Sequence, residues 1–135
     1  VDNPYSSYRK TQIETATSGQ LVVLLYQGAV RFLSLALTAL EEGNIEMAHK
    51  SLVKAQDIVL ELRATLNPEA GDIAQKLDAL YDYMLRRLVE ANFRKEGGPV
   101  REVLAYLQEL LPAWEAAARA QDVADGRVML EVAVR

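Results

Sequence analysis

Glu46-Met47-Ala48-His49 places a carboxylate and an imidazole one helical turn apart, the spacing with which di-iron helical bundles aim both ligands at a shared centre. Such a centre needs a second Glu-x-x-His and further inward carboxylates. His49 is the only histidine, and both residues lie off the apolar seam of their segment, so no metal site is expected. Nucleophilic catalysis has equally little to work with. The 135 residues contain no cysteine, no Gly-x-Ser-x-Gly turn and no second histidine to build a relay. No phosphate-binding glycine loop is present, and Gly97-Gly98 lacks the strand-turn-helix context and reads as a helix stop. The expectation is a protein that is not an enzyme, carries no cofactor and works by binding.

The aromatic residues carry more information. Tyr81 falls with Leu77 and Met84 or Leu85 on an inner face, whereas Tyr83 shares a face with Lys76 and Arg87, where an aromatic beside a base marks a contact surface. Trp114 follows Pro112 and is placed to cap the core. Tyr26 is read on one flank of its helix with Val23, Val30, Leu33 and Leu37, opposite a flank holding Leu24 and Leu35. At least one of these flanks should form a groove wall.

The segment that positions Tyr26 is the strongest element. Fifteen of the twenty residues from Leu21 to Leu40 are hydrophobic, and Gln27, Arg31, Ser34 and Thr38 fall on one stripe. At helical period that stripe is roughly 60° wide, leaving roughly 300° apolar or glycine, far more than one core-facing side needs. Burying one Leu, Val or Phe is worth about 1.5–3 kcal/mol, so leaving four bare would forfeit about as much as a domain's whole net stability. Some further surface must cover them. The stretch has the length of a membrane span, but Arg31 near its centre opposes insertion, so no membrane insertion is expected.

Around this helix the chain divides into an N-terminal arm over 1–16, a helical bundle over 17–120 and a C-terminal tail over 121–135. The arm has no helical repeat, includes Asn3-Pro4 and carries Tyr5, Tyr8 and Ile13. Thr17-Ser18-Gly19-Gln20 matches a capping box, and the first helix should stop near Glu42-Gly43. Asn44 then caps a helix whose inward positions are Ile45, Ala48, Leu52, Ala55, Val59, Leu62 and Leu66. Its outer side carries Glu46, Lys50, Lys54, Asp57, Glu61 and Arg63. Asn67-Pro68-Glu69 closes it and opens a third helix, with Ile73, Leu77, Leu80 or Tyr81, Met84, Leu88 and Ala91 inward, ending at Arg94-Lys95.

A fourth helix repeats Val100, Val103, Leu104, Leu107, Leu110, Leu111 and Trp114, with a kink or break expected at Pro112. Short connections imply antiparallel neighbours. The fold class is therefore all-α, an antiparallel four-helix bundle with an extended arm and a short apolar tail, Val128–Val134, of open structure. Net charge is −4 with acids and bases interspersed, which argues against nucleic acid as a partner. The absence of cysteine suits a reducing compartment. The first twenty residues lack a basic flank followed by an apolar core, so no export signal is expected and the cytoplasm is the default.

The string Tyr81-Asp82-Tyr83-Met84-Leu85-Arg86-Arg87-Leu88-Val89-Glu90-Ala91-Asn92 resembles the signature of the FliS family of flagellar secretion chaperones. Asn3-Pro4-Tyr5 with Tyr8, Thr15-Ala16-Thr17, Leu24-Leu25-Tyr26 with Gly28, Lys54-Ala55-Gln56 with Ile58, and Trp114 agree with it in order and spacing, over about residues 3–120. The tail and Pro112 depart from that pattern. The resemblance implies a bacterial cytosolic chaperone that captures the disordered C-terminal segment of flagellin, prevents premature polymerisation and presents the cargo to the flagellar export gate. The client becomes partly helical as it wraps the bundle. It also implies that the arm covers part of the client groove when empty and contributes to export-gate docking, with Tyr5 and Tyr8 matching the arm's aromatic pair.

Leu24, Tyr26, Leu35, Tyr81, Tyr83 and Leu88 are the expected client contacts, and Tyr5, Tyr8 and Ile13 the lid or docking residues. Such a chaperone should be largely monomeric or weakly dimeric. The alternative is a homo-oligomeric helical scaffold without a secretion client, burying its first helix against its own copy. A ferritin-like metalloenzyme would need bound metal, which the single histidine argues against.

Overall fold

A computed structural model of the chain describes residues 18–124, with side chains described through residue 120. Thr17 of the expected capping box, Tyr5, Tyr8 and Ile13 of the arm, and the tail segment Val128–Val134 lie outside the described residues. Among the described residues four α-helices follow one another: α1 (Ser18–Glu41), α2 (Ile45–Ala64), α3 (Asp72–Arg94) and α4 (Gly97–Ala124). Each packs against its neighbour in sequence and α1 closes the ring against α4, an all-α four-helix bundle.

The helix boundaries follow from local chemistry. α1 ends where Gly43 adopts φ +71°, letting the Asn44 amide reach the Ala39 carbonyl and the Gly43 amide reach Leu40, a Schellman closure. Asn44 then caps α2, its side chain accepting from the Met47 amide at 3.1 Å. Asn67 and Pro68 do not open α3 directly. Asn67 caps a short 3₁₀ turn (Pro68–Ala70), Gly71 at φ +77° breaks it, and α3 starts at Asp72. Lys95, left-handed at φ 54°, reverses the chain so tightly that Gly97-Gly98-Pro99 form the first turn of α4 instead of a loop. Proline fits there because the first-turn amides have no intrahelical acceptor to serve.

Pro112 leaves α4 unbroken, contrary to the possible break in the sequence reading. Its ring and Gln108, whose carbonyl loses the proline's missing N–H, are both exposed, so water can satisfy the freed group. Of the inward residues expected on α2, Ala48, Leu52, Ala55, Val59, Leu62 and Leu66 are buried; Ile45, at the open end of the helix, is 52 % exposed. Tyr81 rather than Leu80 takes the inner position of α3.

α1 is long and apolar enough to cross a membrane on length and composition alone. In the bundle it buries Val22, Leu25, Tyr26, Ala29, Leu33, Ala36 and Ala39, while Leu21, Val23, Leu24, Val30, Phe32, Leu37 and Leu40 are half-buried and Leu35 is exposed. The other three helices thus cover about half of its apolar girth. Tyr26 and Leu33, read from sequence as flank residues, are core residues.

Candidate functional surface

The core is pinned by a polar contact between two aromatic side chains. Tyr26 of α1 and Tyr81 of α3, both buried, bring their hydroxyls to 2.8 Å, and Trp114 of α4 lies 6.1 Å from the Tyr26 ring centroid. The mutual hydrogen bond makes burial of two hydroxyls tolerable. Burial also raises both phenols above their ordinary range. Leu88, at 0 % exposure, belongs to the same core. Tyr26, Tyr81 and Leu88, expected as client contacts, are therefore core residues with no outward surface in this arrangement of the helices.

The remaining expected contacts face outward. Leu24 is half-buried and Leu35 is 42 % exposed on the side of α1 that meets α2. That side is identified by Gly28, on the same flank, where an added Cβ would stand 3.2 Å from the Ile58 Cδ1 of α2. Tyr83 is half-buried between α3 and α4. Its hydroxyl donates to Glu102 Oε2 at 2.8 Å, beside the Tyr106 hydroxyl at 2.9 Å, while Arg87 Nε donates to Glu102 Oε1 at 2.6 Å. The Arg87 guanidinium, then the Tyr83 hydroxyl, hold the Glu102 carboxyl below its usual range. Tyr83 is thus tied into a network joining two helices, with Arg86 over its ring at 5.9 Å.

The seam between α2 and α3 is clamped by polar contacts near both ends. At one end Arg63 grips Asp78 through Nε at 2.7 Å and Nη2 at 3.3 Å, and reaches Asp82 at 3.2 Å. At the other, Asn92 Nδ2 meets His49 Nδ1 at 3.0 Å while Lys95 bonds the Asn92 oxygen. His49 is therefore engaged by an amide, and no cluster of three or more metal-ligating side chains occurs among the described residues. Beside each clamp lies a hollow, of about 390 Å³ at Arg63, Leu66 and Ala74, and about 430 Å³ at Gln56, Val89 and Phe93.

Among the described residues, the exposed large hydrophobic side chains follow one pattern. They are Leu35, Ile45, Met47, Leu60, Val89 and Phe93, the last 88 % exposed. Helical spacing puts Met47 on the flank of α2 that holds Lys54 and Ile58 and meets α1, and puts Ile45 with His49, Gln56 and Arg63 on the flank that meets α3. Leu60 follows Gln56 by one turn, and Val89 and Phe93 line the α2/α3 hollow. All six therefore border the two seams of α2. Sequence reasoning looked to Leu24, Tyr26 and Leu35 of α1 and to Tyr81, Tyr83 and Leu88 of α3, and of the six exposed residues named only Leu35 as a contact; the available signal was that Leu60, Val89 and Phe93 fall off the inward repeats of their helices.

The family model described as Flagellar protein FliS matches residues 1–121. The Flagellar secretion chaperone FliS of Bacillus subtilis is 38 % identical over 121 residues, covering 90 % of this chain and 90 % of the relative. Those of Vibrio cholerae and Salmonella typhimurium are 34 % and 36 % identical, covering 78 % and 81 % of this chain and 78 % and 85 % of the relatives.

Proposed function

Because the chain belongs to the FliS family and is a flagellar export chaperone, we propose that it binds the disordered C-terminal segment of flagellin along the two seams that flank α2. The observation that carries this reading is that the six large hydrophobics exposed among the described residues all border those seams. An amphipathic client helix laid in either seam buries them, each fully buried side chain contributing about 1.5–3 kcal/mol. Ordering a disordered client offsets much of that gain, which keeps the complex releasable. Nothing in this reading requires covalent chemistry.

Held in this way, the client's polymerising segment is hidden until the complex reaches the flagellar export gate, and the cycle runs in the bacterial cytosol. The arm residues Tyr5, Tyr8 and Ile13 supply the lid or the gate contact in this proposal. Leu24, Leu35 and Tyr83 contribute from the surface, while Tyr26, Tyr81 and Leu88 act through packing. Calorimetric titration of the folded chain with the flagellin C-terminal segment tests the proposal. Saturable one-to-one binding is expected; no heat and no complex on size exclusion would overturn it.

A further inference from the structure

We infer that the segment Val128–Val134 folds back from the end of α4 and seats an apolar face in the hollow at Arg63, Leu66 and Ala74, shielding that end of the α2/α3 seam until a client displaces it. The docking stands independently of the client reading; only the displacement rests on it. The segment lies outside the described residues and beyond the family match, which ends at residue 121. What places it is the helix it follows.

Contacts with α3 set the direction of α4. The Tyr83 and Tyr106 ring centroids stand 6.4 Å apart and Arg87 reaches Glu102, so each step forward along α4 is a step back along α3. Continued at that register, Ala117 comes level with Asp72, where α3 begins. From Ala117 to Ala124 the helix runs about 10 Å farther, past the end of the bundle that holds the hollow. Asp125-Gly126 follows at once, a dipeptide that turns the chain. The residues from Ala124 to Val134 span up to about 35 Å when extended, enough to return that distance and cross one helix, whose neighbours lie about 8–10 Å away.

Composition selects the occupant. In an extended segment alternate side chains share a face, so Val128, Leu130, Val132 and Val134 make one wholly apolar row, with Glu131 on the opposite side. The hollow offers a matching surface. Leu66 and Ala74 line it as buried residues and Pro68 as an exposed one, and Leu60, 53 % exposed, stands one turn from Arg63 on α2. Arg63 and Asp78 line it too, but each is matched by the other, so the occupant need carry no charge. Row and hollow both gain by leaving water together.

Methyl NMR of the client-free full chain tests the docking. Contacts of the Leu130 and Val132 methyls with those of Leu60 and Leu66 are expected, and isotope-filtered spectra of mixed labelled and unlabelled chains should show them within one molecule. Contacts only between copies, contacts of Leu60 and Leu66 with Ile13 of the arm instead, or none at all would overturn it. The L130D/V132D variant, whose fold circular dichroism verifies, should bind the flagellin C-terminal segment about three- to tenfold more tightly, because the seam is then open in every molecule. Unchanged affinity would overturn the shielding and leave the chaperone reading intact. If folded parent and variant both fail to bind, the chaperone reading falls and the displacement with it, while the NMR contacts still decide the docking.

Discussion

The hydroxyls of Tyr26 and Tyr81 meet at 2.8 Å inside the bundle, joining α1 to α3, two helices that are not neighbours in the chain. Replacing either by Phe removes one partner and leaves the other phenol buried without it. Each single variant should lose about 1–3 kcal/mol, and the Y26F/Y81F double variant less than the sum, because the second substitution removes the stranded group. Urea unfolding of the four proteins supplies the cycle. Additive losses would show that the two hydroxyls are not coupled.

Glu102 gives the fold a dependence on acid. Its carboxyl is held below the ordinary 4.5, first by Arg87 and then by Tyr83, so its contribution to stability is complete above that value. It is lost as pH falls through the lowered folded-state value. E102Q should therefore be less stable than the parent at neutral pH, and the gap should close in acid. Denaturation midpoints across this range check it; a gap that persists unchanged below the carboxylate range would contradict the network's role.

Gly28 sets how closely α1 and α2 approach. Alanine gains helix propensity of about 1 kcal/mol, but its Cβ would press on Ile58 Cδ1 at 3.2 Å, the mobile end of a side chain, so G28A should be close to neutral. Leucine cannot be absorbed in this way. G28L should lose about 1–3 kcal/mol and narrow the seam, with client affinity falling alongside stability. Thermal unfolding together with calorimetry distinguishes the two variants.

Phe93 offers the opposite separation, since a side chain 88 % exposed contributes little to the core. F93S should change stability by less than about 0.5 kcal/mol. Client affinity should nevertheless fall about tenfold, by loss of apolar burial in the α2/α3 seam. Unaltered affinity would remove that seam from the client path.

Most of the fold was legible because the apolar repeats of α2 and α3 point one way and the first connection carries its own stop and cap, Gly43 and Asn44. Gly97-Gly98-Pro99 misled, because whether those residues turn the chain or start a helix depends on Lys95 accepting a left-handed backbone, which its residue type does not announce. Helix α1 was the hard case. A rod apolar on nearly all sides does not reveal which side its neighbours take, so Tyr26 was placed on a flank although its hydroxyl finds a buried partner on α3. The residues proposed to face the client were less legible still, since Leu60 and Phe93 differ from inward hydrophobic residues only in their register against helices that the sequence does not position.

The central claim, that the client lies along the seams of α2, is tested most directly by methyl NMR of the chain with and without the flagellin C-terminal segment. Large shifts are expected at Leu35, Ile45, Met47, Leu60 and Val89, with the buried methyls of Val103 and Leu107 little changed. Binding accompanied by shifts confined to the outward methyls of α4, such as Leu104 and Leu111, would contradict it.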